Sequence, residues 1–179
     1  VERFLHLILG TRVITPTRAE AAMYAAASAA ANSACLSRQV GAAVTDDLGE
    51  VLAVGWNDVP RAFGDLYTTE LTGGLIAPGD MRCWNFGGKC YNDEEKDGLA
   101  RQVVDALGDL IDGAKRSLAV ERVRKDRRLR GLIEFSRSIH AEMHAILTAL
   151  RQKGDRVRKG HLYVTTYPCH SCARHIVAA

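Results

Sequence analysis

The chain has 179 residues, 47 % of them hydrophobic, with 24 Lys and Arg against 21 Asp and Glu and a formal net charge of +3. That is the length of one ordinary domain with apolar residues enough for a core, and the near-balanced charge excludes a strong polyanion footprint. No stretch approaches the roughly 20 apolar residues of a membrane span, and the opening "VERFLHLILG" is too short and too soon followed by charge for a signal peptide.

"TPTRAEAAMYAAASAAANSA" opens with the capping box Thr17-x-x-Glu20 and continues in alanine, which predicts a helix from Arg18 to Ser33. "QVGAAVTDDLGEVLAVGWN" carries two apolar runs around "DDLG" and predicts a β-hairpin ending at Gly55-Trp56-Asn57. Residues 58 to 94 show no periodicity and hold Gly64, Gly73, Gly74, Pro78, Gly79, Gly87 and Gly88, so a long loop is expected. Leu99, Val103, Val104, Leu107, Leu110 and Ile111 then recur at helical spacing. Lys115 to Arg130 carries eight basic and two acidic residues, a run that ordinarily marks a solvated helix face. "SRSIHAEMHAILTALRQKG" is a second strong helix with an apolar stripe through Ile139, Met143, Ile146, Leu147 and Leu150, stopped at Gly154. "GHLYVTTY" is a short strand, and "CHSCARHIVAA" begins a last helix. Helices alternating with strands around one sheet define an α/β fold.

The five cysteines are Cys35, Cys83, Cys90, Cys169 and Cys172. An odd number without a secretion signal argues for reduced thiols in a cytoplasmic setting, some of them metal ligands. Cys169 and Cys172 sit at the strand-to-helix junction in "PCHSC". A helix N-terminus offers unpaired N–H groups and partial positive charge, both of which favour the metal-binding thiolate. Taken alone, Cys-x-x-Cys also fits a redox dithiol or half of a structural zinc site. Upstream stands His140-Ala141-Glu142 at the start of a helix. His140, Cys169 and Cys172 would give Zn²⁺ three protein ligands and leave one position open, the mark of a catalytic site. Glu142 is then the carboxylate that can move protons beside it. His-x-Glu followed by Pro-Cys-x-x-Cys is the signature of the zinc nucleobase deaminases, and here 25 residues separate its two halves.

"HAEMHAIL" and "LYVTTYPCHSCARHI" resemble the cytidine and deoxycytidylate deaminases. "SRQVGAAV" and "GWNDVP" are similar to the deoxycytidylate branch, with its G-x-N-x-x-P turn. "ERFLHLILGTRVITPTRAE" resembles a bacterial anti-phage class that couples an N-terminal P-loop kinase-like domain to a dCTP/dCMP deaminase domain. The resemblance implies a cytidine deaminase-like three-layer α/β/α sandwich around a mixed sheet, spanning residues 1–179 with a long insertion at about 61–130. It implies that a zinc-activated water attacks C4 of cytosine and ammonia leaves, with Glu142 shuttling the protons. The substrate would be dCTP or dCMP, and depletion of the nucleotide pool would serve antiviral defence. Asn57 matches the residue that contacts the sugar hydroxyl, or is simply a turn-forming Asn. Arg38 is a candidate phosphate contact or an exposed helix-end residue. Tyr167 is a candidate to stack on the base or to pack against the sheet. A homo-oligomer is expected, with neither a membrane nor a nucleic-acid partner.

Two departures stand out. His144 replaces an Asn found in many deoxycytidylate deaminases; with His140 it could in principle close a Cys₂His₂ structural site, but a buried histidine beside the ligands is the expected role. The family continues its sheet after the cysteine helix, whereas this chain stops seven residues past Cys172 and opens on Val1, so a longer protein is expected. Cys35, Cys83 and Cys90 are either free thiols or, by resemblance, part of a second zinc site. Other functions that fit are a housekeeping dCMP deaminase, a base deaminase acting on single-stranded DNA or tRNA, and a zinc-stapled module without catalysis.

Overall fold

In the computed structural model, which describes residues 1–76 and 79–179, helix α1 (Glu2–Leu9) comes first and ends at Gly10, whose φ of 62° takes the left-handed conformation. Sequence reasoning misses it because none of its residues is buried. Helix α2 (Arg18–Ala30) has both halves of its capping box: Glu20 N–H donates to Thr17 Oγ1 at 3.2 Å, and Thr17 N–H donates to Glu20 Oε2 at 2.6 Å. It ends three residues earlier than expected, because Ser33 turns to donate its hydroxyl to the Asn57 backbone carbonyl at 2.6 Å.

Two compact units follow from the packing: residues 1–33, 40–57 and 140–179 form the first, and residues 34–39 and 58–139 the second. In the first, strands β1 (Gly41–Thr45) and β2 (Val51–Trp56) pair antiparallel as the hairpin predicted around "DDLG". Asp46 closes its turn, accepting from Leu48 N at 3.1 Å and Glu50 N at 2.8 Å. Arg156 clamps it, donating to Asp46 at 2.6 Å and Glu50 at 2.7 Å.

The second unit contains a short hairpin of β3 (Leu71–Thr72) and β4 (Leu75–Ile76), then helices α3 (Tyr91–Ala106), α4 (Arg116–Lys125) and α5 (Arg127–Arg130). The loop expected over 58–94 is mostly turns and bends, interrupted by that hairpin and ended early by α3; Pro78, which contributed to the loop reading, lies outside the described residues. Its centre is ionic. Arg82, 3 % exposed, donates to Asp80 at 2.6 Å and Thr69 Oγ1 at 2.8 Å and lies 3.6 Å from Asp58. Asp58 also accepts from the backbone N–H groups of Ala34 and Val59. Burial pushes the Asp58 carboxyl above its ordinary range, against the pull of these donors. Arg124 of the basic run is paired with Asp93 and Asp97.

Back in the first unit, helix α6 (Ala141–Lys153), strand β5 (His161–Val164) and helix α7 (His170–Ala178) complete the fold. The sheet order is β2-β1-β5. All three strands are antiparallel, where a mixed sheet is expected from the resemblance: β2 returns from β1 through a tight turn, and β5 runs against the other edge of β1.

Two glycines set the layers. A Cβ on Gly41 would lie 1.9 Å from Ala26 O of α2, and one on Gly55 would lie 2.4 Å from Ala145 N of α6. Gly41 pairs with Trp56 and Ala42 with Gly55, so the two glycines face opposite sides of the sheet. Helix α2 therefore covers one face and α6 the other, which is the α/β/α sandwich. The core includes Val44, Leu52, Ile146 and Val157, with Ala141, Ala145 and Ala149 of α6 fully buried.

Candidate metal centre

Both halves of the centre are helix starts. His140 is the N-cap residue of α6 and Cys169 that of α7, each with extended backbone. Cys169 caps α7 with its sulfur, accepting the Cys172 N–H at 3.4 Å. Pro168 precedes the cap, and its ring fixes φ on the approach to α7.

His140 Nδ1 lies 3.5 Å from Cys169 Sγ and 3.3 Å from Cys172 Sγ, and the three ligand atoms all fall within 4.8 Å of one another. Zn–N of about 2.05 Å and Zn–S of about 2.3 Å at tetrahedral angles require N···S of about 3.6 Å. The two N···S distances are therefore of the size that three ligands of one Zn²⁺ would need. Among the described residues His144 does not belong to this set, so the Cys₂His₂ alternative is not what the geometry shows. Nor do Cys35, Cys83 and Cys90 form such a set among the described residues.

Charge supports a cation here. Cys172 is 2 % exposed, and Glu142, 3 % exposed, stands beside it. Burial first, then the Glu142 carboxylate and the second sulfur, push the Cys172 thiol far above its ordinary value. A thiolate at Cys172 would need a positive partner there. A divalent cation would supply it, and thiolate sulfur with imidazole nitrogen is the donor set of Zn²⁺.

Glu142 reaches the site because α6 begins at Ala141, which puts Glu142 in the first turn, two residues past His140. Asn57 follows β2, the strand beneath α6. Its Oδ1 accepts from Val40 N at 2.7 Å, with the Ser33 hydroxyl also 3.0 Å away, so its amide oxygen faces the β1 side. Tyr167 is 95 % exposed, which removes the alternative of packing against the sheet. Arg38 is exposed and belongs to the second unit. His170, between the cysteines, is exposed. His144 is buried, as the sequence reading expects, but its partner was not legible there. Its Nδ1 accepts the Trp56 N–H at 3.2 Å, and only its position four residues past His140 hinted at a place near the centre.

The family model for the cytidine and deoxycytidylate deaminase zinc-binding region matches residues 16–179. Against curated proteins the chain shows no match. No helix among the described residues is long and apolar enough to cross a membrane.

Proposed function

The chain belongs to the cytidine and deoxycytidylate deaminase zinc-binding family, and from that premise we propose that it hydrolyses a deoxycytidine nucleotide, dCTP or dCMP, to the deoxyuridine nucleotide and ammonia. The observation that carries this is the three-ligand set with the buried Glu142 carboxylate beside it. Zn²⁺ held by His140, Cys169 and Cys172 would supply Lewis acidity, making water a nucleophile near neutral pH.

The chain's own residues do the rest. Glu142 would accept one proton of the attacking water and deliver it to N3 of cytosine, then take the remaining proton from the new C4 hydroxyl and pass it to the amine, which leaves as ammonia as the C4=O bond forms and the C4–N bond breaks. Its burial keeps competing water away and strengthens each of these contacts. Asn57, with its oxygen committed to the protein, would meet the sugar hydroxyl through Nδ2. Tyr167, in the turn before Pro168, offers an exposed ring face to the base.

Antiviral nucleotide depletion is the finer proposal, resting on the resemblance of the first 20 residues to the anti-phage class. A homo-oligomer, a cytoplasmic setting and an N-terminal P-loop domain in a longer chain belong to the same proposal. A second reading, deamination of a base in a polynucleotide, draws on the exposed Arg122, Arg127, Arg128 and Arg130 around α4 and α5.

The test is a chromatographic product assay with dCTP, dCMP, deoxycytidine and a cytosine-containing oligonucleotide side by side. Conversion of a free nucleotide supports the proposal. Conversion of the oligonucleotide alone transfers support to the second reading, and no conversion of any of the four contradicts both.

A further inference from the structure

Resting on the deaminase reading, the geometry points to His144 as a positioning residue: its neutral imidazole latches the end of β2 to α6 and thereby sets the pose of Asn57. In the β2-β1-β5 sheet, β2 is an edge strand among the described residues. Asn57 N–H donates to Val40 O across the β1 side. N–H groups alternate in direction along a strand, so the Trp56 N–H points off the open edge.

An N–H facing outward there needs an acceptor or water. His144 supplies the acceptor, its Nδ1 3.2 Å from Trp56 N. Because the backbone N–H is the donor, Nδ1 carries no proton and the ring is the Nε2–H tautomer. The imidazole also meets the Trp56 indole edge-on, with centroids 4.8 Å apart and planes at 87°. His144 is 5 % exposed, so water does not readily replace it.

The reach depends on Gly55, whose missing Cβ lets the Ala141–Ala145 turn of α6 settle on the strand. That turn carries Glu142, and the strand runs directly into Asn57. His144 therefore holds the helix bearing the proton-transfer group against the strand bearing the proposed sugar contact.

Two substitutions separate the acceptor from the bulk. His144→Leu places carbon where Nδ1 stands. His144→Asn places Oδ1 at the same number of bonds from Cα and keeps an acceptor. With the nucleotide that the wild type deaminates best, His144→Leu is expected to raise KM about tenfold, to leave kcat within about threefold, and to leave zinc stoichiometry unchanged. His144→Asn is expected to return KM to within about threefold of wild type. In an Asn57→Ala background the KM effect of His144→Leu should largely vanish, since both changes act through one contact.

An unchanged KM in His144→Leu, additive effects with Asn57→Ala, or no rescue by Asn would overturn the assignment. Should His144→Leu fail to fold, the Asn variant stands with nitrogen NMR of the wild type. There an unprotonated His144 Nδ1 and an exchange-protected Trp56 amide support the latch, and a protonated Nδ1 or an unprotected amide overturns it. If the wild type deaminates nothing, the functional reading has failed, while the same NMR signals still decide whether the latch exists.

Discussion

Replacing Gly55 with Ala should damage the protein more than any other single methyl group added to β2. The added Cβ would sit 2.4 Å from Ala145 N, 2.7 Å from Ala141 O and 2.8 Å from Ala145 Cα. All three are backbone atoms of α6, so no flexible side chain can swing aside. Ordinary contact begins at 3.4 Å, so helix and strand must separate by about 1 Å. Overpacking of this kind costs about 1–3 kcal/mol. The same retreat displaces His140 and Glu142, which share the first turn of α6, and a misplacement of about 1 Å can cost about 100-fold in rate. Urea unfolding read by circular dichroism would give the stability change as a lower midpoint at unchanged slope. Steady-state kinetics on the same preparation would give the rate. Gly98→Ala is the control: it lies inside α3 with nothing within 4 Å of the new Cβ, and should stabilise by about 0.5–1 kcal/mol. A Gly55→Ala protein within about 0.5 kcal/mol of wild type and fully active would refute the close packing of α6 on β2.

Arg82→Leu should destabilise by about 3–5 kcal/mol in thermal or urea unfolding, since it strands Asp58 and Asp80 as buried uncompensated acids. Part of that loss should return at acid pH, because burial already pushes the Asp58 carboxyl toward its neutral form. Asp46 behaves oppositely. The Arg156 guanidinium, with the Glu50 and Leu48 N–H groups, holds its carboxyl below the usual carboxylate range. Its contribution is therefore complete above the unfolded value of about 3.9 and is lost as pH falls through the lower folded value. Arg156→Gln should flatten the acid limb of a melting-temperature profile between about pH 4 and pH 2; an unchanged limb would show that the clamp contributes nothing. Chelation should lower the melting temperature and added Zn²⁺ restore it, since an ion bound only by the folded chain stabilises by mass action. Indifference to chelator would contradict a metal centre joining α6 to α7.

What could be read from the residues was local. Thr17-x-x-Glu20 specifies its helix start through atoms three residues apart, and the hairpin turn lies within five residues. The His-x-Glu and Pro-Cys-x-x-Cys segments each place their ligands on one helix start, and their meeting follows once α6 and β5 pack on a common sheet. What could not be read was long-range. Gly41 and Gly55 look like ordinary strand glycines until the helix backbones above them are known. Arg82 pairs with Asp80, two residues away, but nothing in the sequence shows that Asp58, 24 residues away, joins the same buried cluster. Helix α1 is amphipathic but buries nothing, so periodicity alone gave it no core to face. The His144 latch depends on which way an edge N–H points, which is a matter of register.

Glu142→Gln tests the central claim most directly, because it removes the proposed proton carrier while preserving size and leaving His140, Cys169 and Cys172 intact. The purified variant and the wild type should each hold one zinc per chain, while turnover of the deoxycytidine nucleotide falls by about 10²–10⁴-fold in the variant. Turnover near the wild-type rate in a zinc-loaded Glu142→Gln protein would contradict the account.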